Sequence, residues 1–304
     1  MERRLSWRQF DLSRAVTGES IMLRVFLVLA VILGTASGTS AQELDGRLKH
    51  INDTGIIRLA YRSDAKPFSF VSQNGKPDGY TIDLCKFVAS TLEQQLNKKL
   101  STVWVPVDSQ NRFDSIAAGV ADIECGSSSV SFARMTKVDF SSFIFMENTG
   151  LMVRVNSGIS SLVELNGKKI AVIAGTTNEA ALVKEIRRRQ LQTTVIRVKD
   201  RSEGIAALQG GAVDSFASDK LLLIGTQNAD GSIYKMLAEN LSVEPYALAL
   251  PRGDWRLRAA VNRSLSQLYA SSQILDIYRK WFAELGERPD LLRAAVYIFG
   301  TIPE

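Results

Sequence analysis

The stretch SQNRFDSIAAGVADIECGSSSVSFAR, residues 109–134, holds a complete structural cycle. Residues 111–118 carry helical spacing and stop at Gly119, and Ala121-Asp-Ile-Glu124 reads as a short buried strand. Three serines, 127–129, follow the strand, and Arg134 stands five residues beyond the last of them. Upstream, 55–61 reads as a buried strand, 81–96 as a helix ending near Asn97, and 101–107 as a strand rich in β-branched residues. Strand, helix and strand in alternation predict an α/β fold, with a parallel sheet covered by helices.

A second cycle repeats this order. Residues 168–174 read as strand, 178–189 as helix, 194–198 as strand and 203–208 as helix, with a stop at Gly210-Gly211 before the strand 212–217. Between the cycles lies an extended apolar stretch, 143–155, and a second one, 246–250, precedes the turn Pro251-Arg-Gly-Asp254. Two extended crossings predict two α/β lobes joined by two strands. Residues 42–148 and 247–304 would form lobe 1, with the helix 257–268 returning to it, and residues 149–246 would form lobe 2.

Composition fits such an architecture. The 304 residues are 45% apolar and 23% charged, as in a globular protein large enough for two domains. Arginines 3, 4, 8, 14 and 24 precede the apolar run 25–33 and the small residues Thr39-Ser40-Ala41, the order of a secretory signal over residues 1–41. Met22 opens a tidier signal and is a possible true start. The apolar run falls short of the roughly 20 residues that cross a bilayer. Residues 1–41 hold five Lys/Arg and three Asp/Glu, so their removal lowers the formal charge from +5 to +3. That charge is too sparse for a nucleic-acid partner, and Arg187-Arg188-Arg189 reads as a solvated helix face.

Cys85 and Cys125, in a chain bound for an oxidising compartment, are either bonded to each other or buried as thiols. The one histidine, His50, lies in a polar segment and reads as a surface residue. These residues provide no metal constellation, no histidine-based triad and no call for a cofactor.

The positions just after the strands carry the chemistry, since ligands of parallel sheets bind at the carboxyl ends of strands. There stand Arg62, Ser109 with Arg112, Ser127 and Ser129 with Arg134, Gly175-Thr176-Thr177, Arg201 and Asp219. Hydroxyls and backbone amides at a strand-to-helix turn can surround a carboxylate, and an arginine can grip it through two parallel bonds. Arg134 with Ser127 and Ser129 makes one anion site, which Thr177 completes from across the cleft. Arg62, Ser109, Arg112 and Arg201 make a second, and Asp219 offers one anion, although it also reads as the N-cap of a helix from 220. Two anion sites and one cation site complement an acidic amino acid.

The segments YRSDAKPFSF (61–70), GYTIDLC (79–85), 109–134, VDFSSFIF (138–145), LNGKKIAVIAGTTNEA (165–180), VKD (198–200) and VEPYALAL (243–250) resemble the periplasmic solute-binding proteins for polar amino acids of ABC transporters. The resemblance spans roughly residues 44–286 and points within that family to the glutamate/aspartate-binding branch. It implies a Venus-flytrap fold that clamps an amino acid between two lobes and presents it to an inner-membrane permease, as a periplasmic monomer without cofactor. By this resemblance Ser127, Ser129, Arg134 and Thr177 hold the α-carboxylate, Asp219 the ammonium, and Arg62, Ser109 and Arg112 the distal carboxylate. Arg201 departs from the pattern, because the acidic-ligand members carry histidine there; an arginine is longer and always charged. A Cys85–Cys125 disulfide would close about 40 residues within lobe 1. Residues 291–304 fall outside the resemblance and receive no function.

Two other roles suit the same scaffold. A periplasmic dehydratase would use Glu124 or Glu244 as general acid, although Glu124 reads rather as a partner of the arginines. A ligand-sensing domain would need a partner chain to report binding.

Overall fold

The computed structural model describes residues 44–226 and 233–303. The expected signal segment and the start at Met22 lie outside these residues.

The first half comprises helix α1 (Gly46–Thr54), strands β1 (Ile56–Arg62), β2 (Asp64–Ala65), β3 (Ser69–Val71) and β4 (Pro77–Asp78), helix α2 (Tyr80–Leu96), strand β5 (Ser101–Val107), helix α3 (Arg112–Ala117) and strand β6 (Ile123–Glu124). The long strand β7 (Val138–Arg154) leads to β8 (Lys169–Ile173), α4 (Thr177–Arg188), β9 (Thr194–Val198), α5 (Arg201–Gln209), β10 (Ser215–Asp219) and α6 (Lys220–Thr226). Strands β11 (Tyr234–Met236) and β12 (Ser242–Pro251) precede α7 (Trp255–Ala270), α8 (Gln273–Phe282) and α9 (Leu291–Gly300).

The strand order is β5-β1-β6-β12-β7-β10-β8-β9, with β11 also on β7, and β2-β3-β4 form a small separate sheet. β1 pairs in parallel with β5 and β6, and β8 in parallel with β9 and β10. Between these two parallel groups run β7 and β12, antiparallel to each other from Val138–Pro251 to Thr149–Ser242. The crossings expected from 143–155 and 246–250 are therefore one continuous antiparallel pair that joins two parallel sheets, the layout of a two-lobed α/β binding fold.

Residue alternation explains why each half buries both sheet faces. Ile170 and Val172 pack with Leu151, Val153, Leu162 and Leu182, whereas Ala171 and Ile173 pack with Met152, Val198, Leu208 and Phe216 on the opposite face. Tyr80, Phe145, Tyr246 and Phe282, drawn from both ends of the chain, stack edge-on or tilted around Phe68, with ring centroids 5.0–6.0 Å from it.

Cys85 and Cys125 are bonded, tying α2 to the chain just beyond β6. Chain entropy over their 40-residue separation corresponds to about 4 kcal/mol. Some local readings shift. The strand 121–124 contracts to β6, and the strand 212–217 moves to β10, so Asp219 ends a strand before α6 begins. His50 is exposed, as expected, and lies on α1. Helices α8 and α9 were not read: α9 seats Arg293 over the Phe145 ring at 5.1 Å and Tyr297 against Tyr80, with the hydroxyls 2.9 Å apart.

Candidate ligand-binding site

Capping chemistry positions the second-half residues. Thr176 caps α4, accepting from the Glu179 amide at 3.2 Å, while Glu179 reaches back to the Gly175 amide at 2.8 Å. Asp200 does the same for α5 with Glu203, and Glu203 reaches back to the Lys199 amide. The first turns of both helices are thereby fixed, with Thr177, Asn178 and Arg201 at their mouths. In the first half, Arg62 is the last residue of β1 and Arg112 the first of α3. In the turn after β6, a Cβ on Gly126 would sit 2.1 Å from Glu124 Oε1 and 3.1 Å from Arg62 Cγ, so any larger residue would have to displace the Glu124 side chain.

All nine side chains named from sequence, Arg62, Ser109, Arg112, Ser127, Ser129, Arg134, Thr177, Arg201 and Asp219, line one cavity of about 20 Å³. That is room for about one water molecule, far short of the roughly 300–1,000 Å³ of small-molecule sites, so a ligand enters only as these side chains part. Larger hollows lie beside Trp255 and beside α9, but neither gathers buried charges as this one does. Arg62, Arg112, Arg201 and Asp219 are each 95% or more buried.

The four arginines are not equivalent. Arg62 donates through Nε (2.9 Å) and Nη2 (2.6 Å) to one oxygen of Asp64. Arg201, from the other half, donates through Nη1 to the Asp64 carbonyl (2.6 Å) and lies 3.6 Å from its Oδ2. Burial raises the Asp64 pKa, but the two guanidiniums outweigh it and hold the carboxyl below its usual range. Asp64 therefore pairs with two of the four cations, its single charge shared between them.

Arg112 and Arg134 have no carboxylate partner among the described residues. Both guanidiniums lie over the Phe113 ring, at 4.8 Å and 5.1 Å, and Arg134 also donates to the Ser129 carbonyl at 2.7 Å. Burial, followed by repulsion from Arg134 and Arg62, pushes the Arg112 pKa down to about 9. Burial lowers that of Arg134 as well, against the pull of Glu244, Asp219 and Glu124. Opposite them, Asp219 accepts from Asn178 Nδ2 at 3.0 Å, and burial with the nearby Glu244 raises its pKa to about 6. The cavity thus presents two uncompensated cations and one strained anion. A zwitterion with its carboxylates toward the former and its ammonium toward the latter would relieve both.

The two glutamates weighed as general acids do not line the cavity. Glu124 is fully buried with neither oxygen hydrogen-bonded, behind the arginines whose charge it supports. Glu244 is buried and faces the Thr177 hydroxyl at 2.6 Å. Sequence reading missed Asp64, Phe113, Asn178 and the contact of Gln110 with the Ala174 carbonyl across the cleft (2.9 Å). The Arg-x-Asp spacing of 62–64 was the available signal for Asp64; the others depend on the fold.

An L-glutamate/L-aspartate-binding protein of Pseudomonas aeruginosa is 33% identical over 80% of this chain and 82% of its own. The glutamate/aspartate import solute-binding protein of Escherichia coli is 27% identical over 84% of this chain and 86% of its own. The crystal structure of an ancestral amino acid-binding protein, described as a precursor of cyclohexadienyl dehydratase, superposes with a TM-score of 0.68 at 26% identity, covering 78% of this chain and all of that one. The family described as bacterial extracellular solute-binding proteins, family 3, matches residues 57–284. On this match, and on the identity to its relatives, the chain belongs to the family 3 bacterial extracellular solute-binding proteins.

Proposed function

We propose that this protein is the periplasmic binding component of an ABC importer, capturing L-glutamate or L-aspartate between two lobes and delivering it to an inner-membrane permease. Residues 42–148 with 247–304 form one lobe and 149–246 the other, and the protein acts as a monomer without cofactor. The observation that carries the reading is the pair Arg112, buried, and Arg134, partly buried, both over the Phe113 ring without a carboxylate partner among the described residues, with Asp219 on the same cavity. Ser127, Ser129, Arg134 and the first turn of α4 at Thr177 hold the α-carboxylate, and Asp219 holds the ammonium. Arg112 with Ser109 holds the distal carboxylate, backed by Arg62 and Arg201, whose charge Asp64 already shares. The names of the Pseudomonas and Escherichia relatives support the same ligand class.

Glutamine is disfavoured because its amide leaves Arg112 uncompensated, and an unpaired buried charge costs several kcal/mol. Thermal-shift screening of the secreted chain against the twenty amino acids tests the assignment. Stabilisation by glutamate or aspartate alone is expected, with no turnover of prephenate or arogenate; stabilisation by basic or apolar amino acids in their place refutes it.

A further inference from the structure

Glu244 is a buried carboxylate that the reading above leaves without a role. It lies on β12 opposite Glu147 of β7, and Ser242 opposite Thr149, so all four side chains share one face of the antiparallel pair. Its Oε2 accepts from the Thr177 hydroxyl at 2.6 Å; its Oε1 lies 2.5 Å from Ser242 Oγ and 3.1 Å from Thr149 Oγ1. Thr149 Oγ1 in turn accepts from Asn178 Nδ2 at 2.7 Å, and the same nitrogen donates to Asp219 at 3.0 Å. One chain of hydrogen bonds therefore runs from the crossing strands through Glu244 to both Thr177 and Asp219, which line the cavity.

A hydroxyl has one proton. Thr177 gives its proton to a carboxylate at 2.6 Å in preference to Ser129, whose oxygen is 3.3 Å away. What Thr177 Oγ1 then offers the cavity is a lone pair, which suits an ammonium and not a carboxylate. The backbone N–H groups of the first turn of α4 remain for the carboxylate.

Resting on the assignment of an amino acid ligand, we propose that Glu244 is a positioning residue for the ligand's ammonium: it turns the Thr177 hydroxyl into an acceptor and, through Thr149 and Asn178, aims the Asp219 carboxylate at the same point. Asp219 is also electrostatically tied to Glu244, as burial and this neighbour raise its pKa to about 6. The other charged or titratable groups that face Asp219 are Tyr246 of β12, Glu147 of β7, Arg201 of α5, Arg112 of α3 and Arg134. An ammonium placed between Asp219 and Thr177 relieves the crowding of carboxylates.

The test compares L-glutamate with glutarate, the same dicarboxylate without its ammonium, on the full secreted chain by calorimetry from pH 5 to 8. Glu244→Gln is expected to weaken glutamate at least tenfold while changing glutarate less than threefold, and to move the midpoint of the glutamate pH profile to lower pH. Thr177→Val, which leaves Glu244 in place, is expected to show the same selective loss and stands in if Glu244→Gln does not fold. Equal loss of both ligands in the folded variants, or an unchanged glutamate-to-glutarate ratio, overturns the role of Glu244. Failure of the unaltered protein to bind any acidic amino acid overturns the functional assignment instead, so the two failures are distinct.

Discussion

Replacing Arg112 by methionine keeps an unbranched side chain against Phe113 and removes the charge. Arg112 is 4% exposed, its Nε has no hydrogen-bond partner, and burial pushes its pKa from the usual arginine value down to about 9. At about 1.4 kcal/mol per unit, that shift corresponds to a cost of roughly 5 kcal/mol for holding the cation in the ligand-free protein. A carboxylate docked on it recovers most of this cost, and truncating one partner of a buried charge pair typically loses about 2–5 kcal/mol. Taking the upper part of that range, Arg112→Met should weaken L-glutamate by hundreds- to thousands-fold. The ligand-free protein should melt no lower than the unaltered one, because the substitution removes an unpaired buried charge. Titration calorimetry with glutamate and glutamine, alongside thermal unfolding without ligand, measures both effects. A loss below tenfold, or an unchanged glutamate-to-glutamine ratio, would refute the claim that Arg112 faces a ligand carboxylate. A melting temperature several degrees lower would show that the guanidinium is structural.

Asp64 joins Arg62 of its own half to Arg201 of the other, at a partly exposed site where such a pair is worth about 1 kcal/mol. Asp64→Asn should therefore speed glutamate release several-fold in stopped-flow measurements and leave association unchanged; tighter binding would mean that Asp64 competes with the ligand's distal carboxylate. The pH dependence of the ligand-free protein has a defined sign. Burial, with the neighbouring Asp219, raises the Glu147 pKa from 4.5 to about 8, and burial with Glu244 raises that of Asp219 from 3.8 to about 6. The native state then binds more protons than the unfolded chain, so these groups add stability below pH 4 that is lost as pH rises through about 6 and then about 8. The ligand-free melting temperature should fall from pH 5 to 8, and Glu147→Gln should flatten its upper part; an unchanged slope in that variant counts against Glu147.

The parallel-sheet halves and their crossings were legible because buried strands and amphipathic helices impose periods of two and 3.6 on the sequence, and the strands 101–107 and 194–198 were read to the residue. The candidate site was chosen by position, at the strand ends of such a sheet, and all nine residues named on that ground line one cavity. Short elements without a full period, such as β2–β4, and helix α9 beyond the resemblance carried too little pattern to be read. Sequence alone could count four arginines, but not which were already paired. Asp64 meets Arg201 across 137 positions, and Thr177 meets Glu244 across 67. Charge compensation depends on distances of a few ångströms in a low-dielectric interior, and only the tertiary structure sets those distances: it joins Arg62 and Arg201 to Asp64 and leaves Arg112 and Arg134 exposed to the cavity.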